Sequence, residues 1–370
     1  MAKPLPIPSY PAKIIVPTPR SDPSAQALKL LRQQARSILE SKETYSVTFS
    51  PVLCPEGKNH FFTLQPYMWL RKDGNWEKRD GHRNPYCDLP KGQQQLSEMS
   101  RIVLTLALAA RHLPERKDAA TQRMHELLEI FFVNPETMMI PEVRYSQCNP
   151  GETPLKGNSA FIIAIRNLIL VTQALRVTSV DSVLDQQLGR WFQIQIEWMT
   201  SSDQGKEVAN CGDNKEYWYH AVMASHYAYV DPSRAITYAI NYLNTLMTRY
   251  PEPAAFFAQD LNRTRPRHYT LFALEPTFIL VDLTRVSPLP PPAHILTYIE
   301  NLIDFAHTVK PGAIEVPLEM EGRYERQIAW FQRMLAAWKG SPVGSGGDLP
   351  DGEGWSKGWD MWMRTMWGFV

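Results

Sequence analysis

Two stretches of the chain concentrate groups that can hold an anion and move a proton. The first is NCGDNKEYWYHAV, residues 210 to 222, which packs Asn210, Asp213, Asn214, Lys215 and Glu216 ahead of Tyr217, Trp218, Tyr219 and His220. The second is DLNRTRPRHYTLFAL, residues 260 to 274, where Arg263, Arg265 and Arg267 alternate and His268 and Tyr269 follow. A guanidinium grips a carboxylate with two parallel N–H donors, so three arginines in five residues make a local anion site. Positive neighbours also favour a phenolate, so Tyr269 is expected to have a depressed pKa. A solvated basic turn, with Tyr269 as a core residue opening a helix, is the plainer reading of the same residues.

If a helix begins near Asp213, Asn214, Trp218 and Ala221 share one face, and Lys215, Tyr219 and Val222 lie beside it. His220 falls about 140° around from Lys215 and reads as a structural helix-side group rather than its partner. Asn214 and Lys215 then aim an amide and an ammonium at a carboxylate. Together the two stretches match what β-elimination of a uronate requires. The C5 proton is weakly acidic while the adjacent carboxylate is ionised, and donors that neutralise the carboxylate stabilise the developing enolate. A phenolate or imidazole takes the proton, and an acid protonates the departing C4 oxygen.

A third region, residues 50 to 92, is long, rich in Gly and Pro, and loaded with aromatic and charged groups. Loops of this length in a compact fold are functional or disordered, and its aromatic density argues against disorder. It offers His60, Tyr67 and Trp69, then Lys78, Arg79, Asp80 and Asn84. Flat aromatic faces and planar donors suit sugar rings; a packed loop with a satisfied surface is the alternative.

The elements that must carry these residues are helices. Spacing near 3.6 recurs over 23–39, 96–113, 120–132, 160–175, 183–199, 216–230, 232–250, 269–285, 292–307 and 322–338. Pro276 is expected to kink or break the eighth of these. No strand alternation is sustained and no fixed-period repeat appears. The pattern suits an α-solenoid or a ring of helical hairpins, and an all-α, (α/α) toroid with long active-site loops fits a single chain of this length. Three segments are expected: a Pro-rich lead-in over 1–23, the toroid over 24–340, and a Gly-rich linker with a Trp-rich end over 341–370 that packs on the domain.

The chain has 370 residues, 44% hydrophobic and 21% charged, with a net charge of +1. That balance describes a globular protein and provides no global field for nucleic acid. No apolar run reaches the roughly 20 residues needed to cross a bilayer. The N-terminus has no signal-peptide core; the expectation is a secreted protein whose export signal has been removed. Cys54, Cys87, Cys148 and Cys211 permit two disulfides, with four buried thiols as the alternative. The nine histidines are scattered, and neither metal nor cofactor is implied.

Several segments resemble the alginate lyase superfamily, whose members share an (α/α) toroid and cleave uronate polymers. KNHFFTLQPYMWL resembles its Lys-His-Asp run leading into Leu-Ala-Pro-Tyr-Trp-Trp-Pro. KRDGHRNP resembles its Arg-Asp-Gly…Asn-Pro segment, and FFVNPETMMIPEVRYSQCNPG its Phe-Leu-Asp-Pro…Asn-Tyr-Ala-Gln…Pro-Gly segment. DNKEYWYHAV resembles Asn-Asn-His…Tyr-Trp, and LNRTRPRHYTLFAL resembles Arg-Thr-Arg…His-Tyr…Phe-Leu. The matches run in order over roughly residues 55 to 285. The resemblance implies that Asn214, with Arg263 or Arg265, neutralises the carboxylate and that Tyr269 is the catalytic phenol. It implies sugar subsites lined by Lys58, Tyr67, Arg79, Tyr145 and Gln147; Asn59, His60, Trp69, Trp218 and His268 are expected to bind substrate as well. The partner would be an acidic polysaccharide, bound by a monomer.

The chain departs from that pattern. Lys215 stands where the family's catalytic histidine follows its second Asn, Asp213 replaces the first Asn, and Asn59 and His60 displace the early histidine. In D-mannuronate and D-glucuronate the C5 hydrogen and C4 oxygen lie on one side, so a single tyrosine can serve as base and acid in a syn elimination. In L-guluronate they lie on opposite faces, which calls for a second group, usually histidine. Loss of that histidine favours D-configured uronates, glucuronan-like or polymannuronate-like. Lys215 would add charge to the clamp or, with a lowered pKa, act as base. The competing readings are a glycoside hydrolase using two of Asp80, Asp213, Glu216 and Glu319, an acidic-carbohydrate-binding protein without activity, and a helical-repeat scaffold.

Overall fold

The computed structural model describes residues 25–284, 291–310, 312 and 318–340, with the backbone alone at 26, 27, 318–323 and 326. The Pro-rich lead-in and the Trp-rich end fall outside the described residues, as does the side chain of Glu319. The described residues open with α1 (Ala25–Ser41), then a long segment holding a small hairpin of β1 (Met68–Leu70) and β2 (Trp76–Lys78). There follow α2 (Gly92–His112), α3 (Lys117–Phe132), α4 (Phe161–Ile165), α5 (Leu168–Val177) and α6 (Ser182–Ser201). Next come α7 (Asp203–Val208), α8 (Asn214–Val230), α9 (Pro232–Arg249), α10 (Pro253–Phe256) and α11 (Ala258–Leu261). The series ends with α12 (Pro266–Leu283), α13 (Ala293–Thr308) and α14 (Leu318–Trp338).

The helices form two layers. α2, α5, α8 and α12 pack in series, while α3, α6, α9, α13 and α14 back them. Sequence explains which helix goes where. α5, α8 and α12 are buried nearly all round, and a helix without a polar face must lie between others. α9 buries only Pro232, Ala235, Ala239, Tyr242, Leu243 and Leu246, a stripe at helical spacing with a polar opposite face. The result is the all-α toroid that the helix rhythm suggests.

Three expectations need revision. The run 160–175 is not one helix: α4 and α5 are separate, with Arg166 and Asn167 between them. Pro276 neither ends nor divides α12, which continues to Leu283. The cost of an interior proline, about 3 kcal/mol, is outweighed by the burial of Pro276 and its neighbours on this inner helix. The hairpin was invisible because three-residue strands show no alternation; Met68 pairs with Lys78 and Leu70 with Trp76.

The cysteines form no disulfide: all four are free thiols. Cys54, Cys87 and Cys148 share an apolar cluster with Phe62 and Leu64. Cys211 sits elsewhere, its Sγ 3.2 Å from Asp213 Oδ1. The clustered thiols act as small hydrophobes, and burial pushes the thiol of Cys148 up to about 12.

Candidate active site

The N-termini of the two inner helices α8 and α12 meet at one end of the toroid. Asn214 is the first residue of α8, and Asp213 caps the helix by accepting the N–H of Lys215 at 2.8 Å. The cap is braced from behind. Gly212 has φ +76, a conformation that strains any side chain, and its N–H donates to Glu216 Oε2 at 2.8 Å. Glu216 is fully buried, and its Oε1 accepts from Tyr242 Oη at 3.0 Å and Arg249 Nη1 at 2.6 Å. The crowding of polar groups at 210–216 therefore builds a fixed helix start.

The second helix begins just after the arginine run. Arg265 precedes Pro266, which opens α12 where a missing N–H costs nothing. Tyr269 lies on its first turn and is 6% exposed. Its Oη is 3.2 Å from Oη of Tyr67, which leads into β1. The Arg263 guanidinium lies 3.7 Å from the centre of the Tyr269 ring. Asn214 joins this group through Asp260: Asn214 Nδ2 donates to Asp260 Oδ1 at 2.7 Å, and the Arg263 N–H donates to the Asp260 carbonyl at 3.2 Å. Asn214, Asp260, Arg263, Tyr269 and Tyr67 thus form one contiguous set, with the positive ends of two helix dipoles beside it.

The charges are distributed unevenly. Arg263 Nε sits 3.0 and 3.1 Å from the two oxygens of Asp80, which also accepts from Thr264 N at 3.1 Å and Thr264 Oγ1 at 2.9 Å. Burial alone would raise the Asp80 carboxyl, but the Arg263 fork and the two Thr264 donors hold it well below the usual range. Lys215 Nζ pairs with Asp213. Among the described residues Arg265 has no carboxylate partner, and its Nε is buried without a hydrogen bond. Of the three expected cations, Arg265 is the one left to meet a ligand carboxylate.

Tyr269 does not have the depressed pKa that its neighbours suggested. Burial and the hydrogen bond with Tyr67 raise it well above the ordinary tyrosine value, and Arg263 offsets only part of this. Charge counting on the sequence omits the desolvation of the phenolate. His268 is pushed down to about 4 by burial and by Arg265, Arg263 and Arg166, so it is a neutral imidazole at neutral pH. His220 is a structural residue: it stacks on Tyr242 with centroids 3.5 Å apart, and its ring nitrogens meet Tyr238 Oη at 2.6 Å and the Ala209 carbonyl at 3.1 Å.

The remaining expected residues fall into two groups. Trp69 and Arg79 sit on and beside the hairpin, the guanidinium 5.2 Å from the indole, with Trp69 Nε1 donating to His82 O at 2.9 Å and Arg79 paired with Glu77. Lys58 is exposed and pairs with Glu136 at 2.8 Å. Tyr145 packs edge-on against His60 at 4.9 Å and lines a groove of about 600 Å³ with Arg144, Lys156, Glu197 and Trp198. The other residues are spent on structure. Asn59 Nδ2 donates to Met138 O at 2.7 Å and Pro135 O at 3.2 Å. Gln147, at φ +58, bonds Thr63 Oγ1 through its N–H at 2.8 Å and Nε2 at 3.3 Å. Trp218 is fully buried under Arg166 and Phe272 and offers no face to a sugar.

Sequence reasoning missed two residues. Asp260 carries no motif of its own and is found only through its contact with Asn214. Arg166, at the break between α4 and α5, lies 5.7 Å from the Trp218 ring and 5.4 Å from that of Phe272 and adds positive potential at His268. A charged residue inside an apolar helical run is the signal that could have found it.

Comparison with known proteins follows the same lines. A family profile described as alginate lyase matches residues 20–287. No curated protein matches the chain. Among solved structures, an alginate lyase from Bacteroides ovatus is 21% identical and superposes with a TM-score of 0.73 over 85% of this chain and 87% of that one. A histidine-to-alanine variant of alginate lyase A1-III complexed with a tetrasaccharide is 11% identical, with a TM-score of 0.45 over 81% of this chain and 84% of that one.

Proposed function

The chain belongs to the alginate lyase family, a polysaccharide lyase by that membership, and from this premise we propose that it cleaves D-configured uronate polymers by syn β-elimination at Tyr269. The uronate carboxylate is held by the second N–H of Asn214 and by Arg265, whose charge no protein carboxylate answers among the described residues. These donors strengthen their hold as the C5 proton leaves and charge moves onto the carboxylate, which is where catalysis is gained. Tyr269 takes the C5 proton as a phenolate. The Arg263 guanidinium over its ring stabilises that form, against burial and the Tyr67 hydrogen bond, which both favour the neutral phenol. The phenol so formed then returns the proton to the C4 oxygen on the same face, and a C4–C5 double bond is left.

Lys215 acts as charge rather than as base. Its ammonium pairs with Asp213 beside the site, so it adds positive potential without offering a lone pair. With lysine in place of histidine at this position, and the His268 ring 5.1 Å from that of Tyr269, this reading assigns no second proton carrier among the described residues, and L-guluronate is a poor substrate. Of the carboxylates a hydrolase would use, Asp80 and Asp213 are ion-paired and Glu216 is enclosed by its donors, while the side chain of Glu319 lies outside the described residues. Because a large charged polymer does not cross a bilayer unaided, this reading includes export of the enzyme to where the polymer is met. No helix among the described residues is long and apolar enough to span a bilayer.

The observation that carries the proposal is the contiguous set of Asn214, Asp260, Arg263, Tyr269 and Tyr67 where two helix N-termini meet. Tyr269→Phe tests it on polymannuronate, read as the ultraviolet absorbance of unsaturated ends. The expected result is a folded protein that still binds polymer and forms no unsaturated product. Turnover by Tyr269→Phe within tenfold of the unaltered enzyme would reject the assignment.

A further inference from the structure

Asp260 is a costly residue for its position. It is 1% exposed, on the short turn α11, and among the described residues its carboxylate has a single side-chain donor, the Asn214 Nδ2 at 2.7 Å. Its second oxygen, Oδ2, is buried without a hydrogen-bond partner among the described residues. Buried carboxylates are normally retained with several donors or a paired cation, and an unsatisfied one is destabilising. An asparagine of the same shape would remove the buried charge, so folding alone does not account for an aspartate here.

What an aspartate does that an asparagine cannot is accept only. The amide of Asn214 carries an oxygen and an N–H₂ group that exchange places on a half-turn about its last bond. An ionised carboxylate facing that amide tolerates the nitrogen and repels the oxygen, so the lock acts above the point, about 7, to which burial raises Asp260. We propose that Asp260 is a positioning residue, which locks the Asn214 amide so that its second N–H stays available to the uronate carboxylate. The proposal rests on the reading of Asn214 given above and adds the residue that enforces it. The Asp260 carbonyl accepts the Arg263 N–H at 3.2 Å, so the same residue ties the amide to the turn that places Arg263 over Tyr269. Without the carboxylate the amide samples both orientations, and in the flipped one its oxygen opposes the substrate's own.

The donor matters most when charge builds on the uronate, so its loss falls on kcat more than on KM. The test is steady-state kinetics on polymannuronate at about pH 9, where Asp260 is ionised, with the full chain carrying Asp260→Asn or Asp260→Glu, alongside thermal melting. Asp260→Asn is expected to melt no lower than the unaltered protein, to lose ten- to a hundred-fold in kcat, and to keep KM within threefold. Asp260→Glu keeps an acceptor-only group and is expected to recover at least a third of the kcat. A folded Asp260→Asn with kcat within threefold of the unaltered enzyme overturns the proposal, as does a folded Asp260→Glu no better than Asp260→Asn. If Asp260→Asn does not fold, Asp260→Glu decides alone: kcat within tenfold supports the role and a larger loss overturns it. Tyr269→Phe in the same assay separates the two claims. An inactive Tyr269→Phe with a fully active Asp260→Asn removes only the role of Asp260, while an active Tyr269→Phe removes the reading of the site and this proposal with it.

Discussion

Asp80→Asn isolates the contact that fixes Arg263 over the Tyr269 ring. Asp80 accepts from Arg263 Nε at 3.0 and 3.1 Å, from Thr264 N at 3.1 Å and from Thr264 Oγ1 at 2.9 Å. Hydrogen bonds to a charged group are each worth about 1.5–3 kcal/mol. The Asp80 and Arg263 side chains are 24% and 26% exposed, so solvent screens part of that. A loss of about 2–4 kcal/mol at pH 7 follows, within the range for breaking a partly buried ion pair. Its pH dependence has a definite sign. Arg263 and Thr264 depress the folded-state pKa of Asp80, so the stabilisation is fully present above the unfolded value of about 4 and shrinks by ~1.4 kcal/mol per pH unit below it. Urea unfolding of both proteins at pH 7 and pH 3 measures this directly. The gap between them should narrow by about 1 kcal/mol at pH 3. A gap that is below 1 kcal/mol at pH 7, or that widens in acid, would refute the reasoning.

Four further outcomes follow. Arg265→Ala should lower kcat/KM by about 10²–10³, the range for removing one transition-state donor, measured by product absorbance on polymannuronate. Under the proposed mechanism Lys215→His supplies a second proton carrier, and cleavage of pure polyguluronate should appear or rise at least tenfold. Because burial and Tyr67 raise the Tyr269 pKa, activity should climb through the alkaline range as the phenolate forms, and a pH–rate profile flat above pH 7 would exclude it as the base. Asp260 is pushed up to about 7, chiefly by burial, opposed by Asn214 and further raised by Asp213. Its folded pKa exceeds the unfolded one, so stability should fall by a few kcal/mol as pH rises from about 4 to 7, and Asp260→Asn should lose that slope in thermal melts.

The parts of the site legible in the sequence were those written in local chemistry. Asp213, Asn214 and Glu216 announce a helix start because caps are set by neighbours two or three residues away, and α8 begins there. Tyr269 follows the arginines closely enough for one helical turn to join them. Contacts between distant segments were not legible. Asp80 meets Arg263 across 183 positions, and Asn214 meets Asp260 across 46. Desolvation was equally hidden, and it reversed the expected direction of the Tyr269 pKa. The same cause turned Trp218 from a sugar platform into core. A residue type states what a side chain can do, and only its surroundings state what it is free to do.

The most direct measurement is the initial rate of unsaturated-product formation by the unaltered enzyme on polymannuronate, glucuronan and polyguluronate at equal uronate concentration. A syn elimination at Tyr269 predicts turnover of at least one of the first two polymers and a rate on polyguluronate at least a hundred-fold lower. Cleavage of polyguluronate at a rate equal to or above the best D-uronate polymer would contradict it.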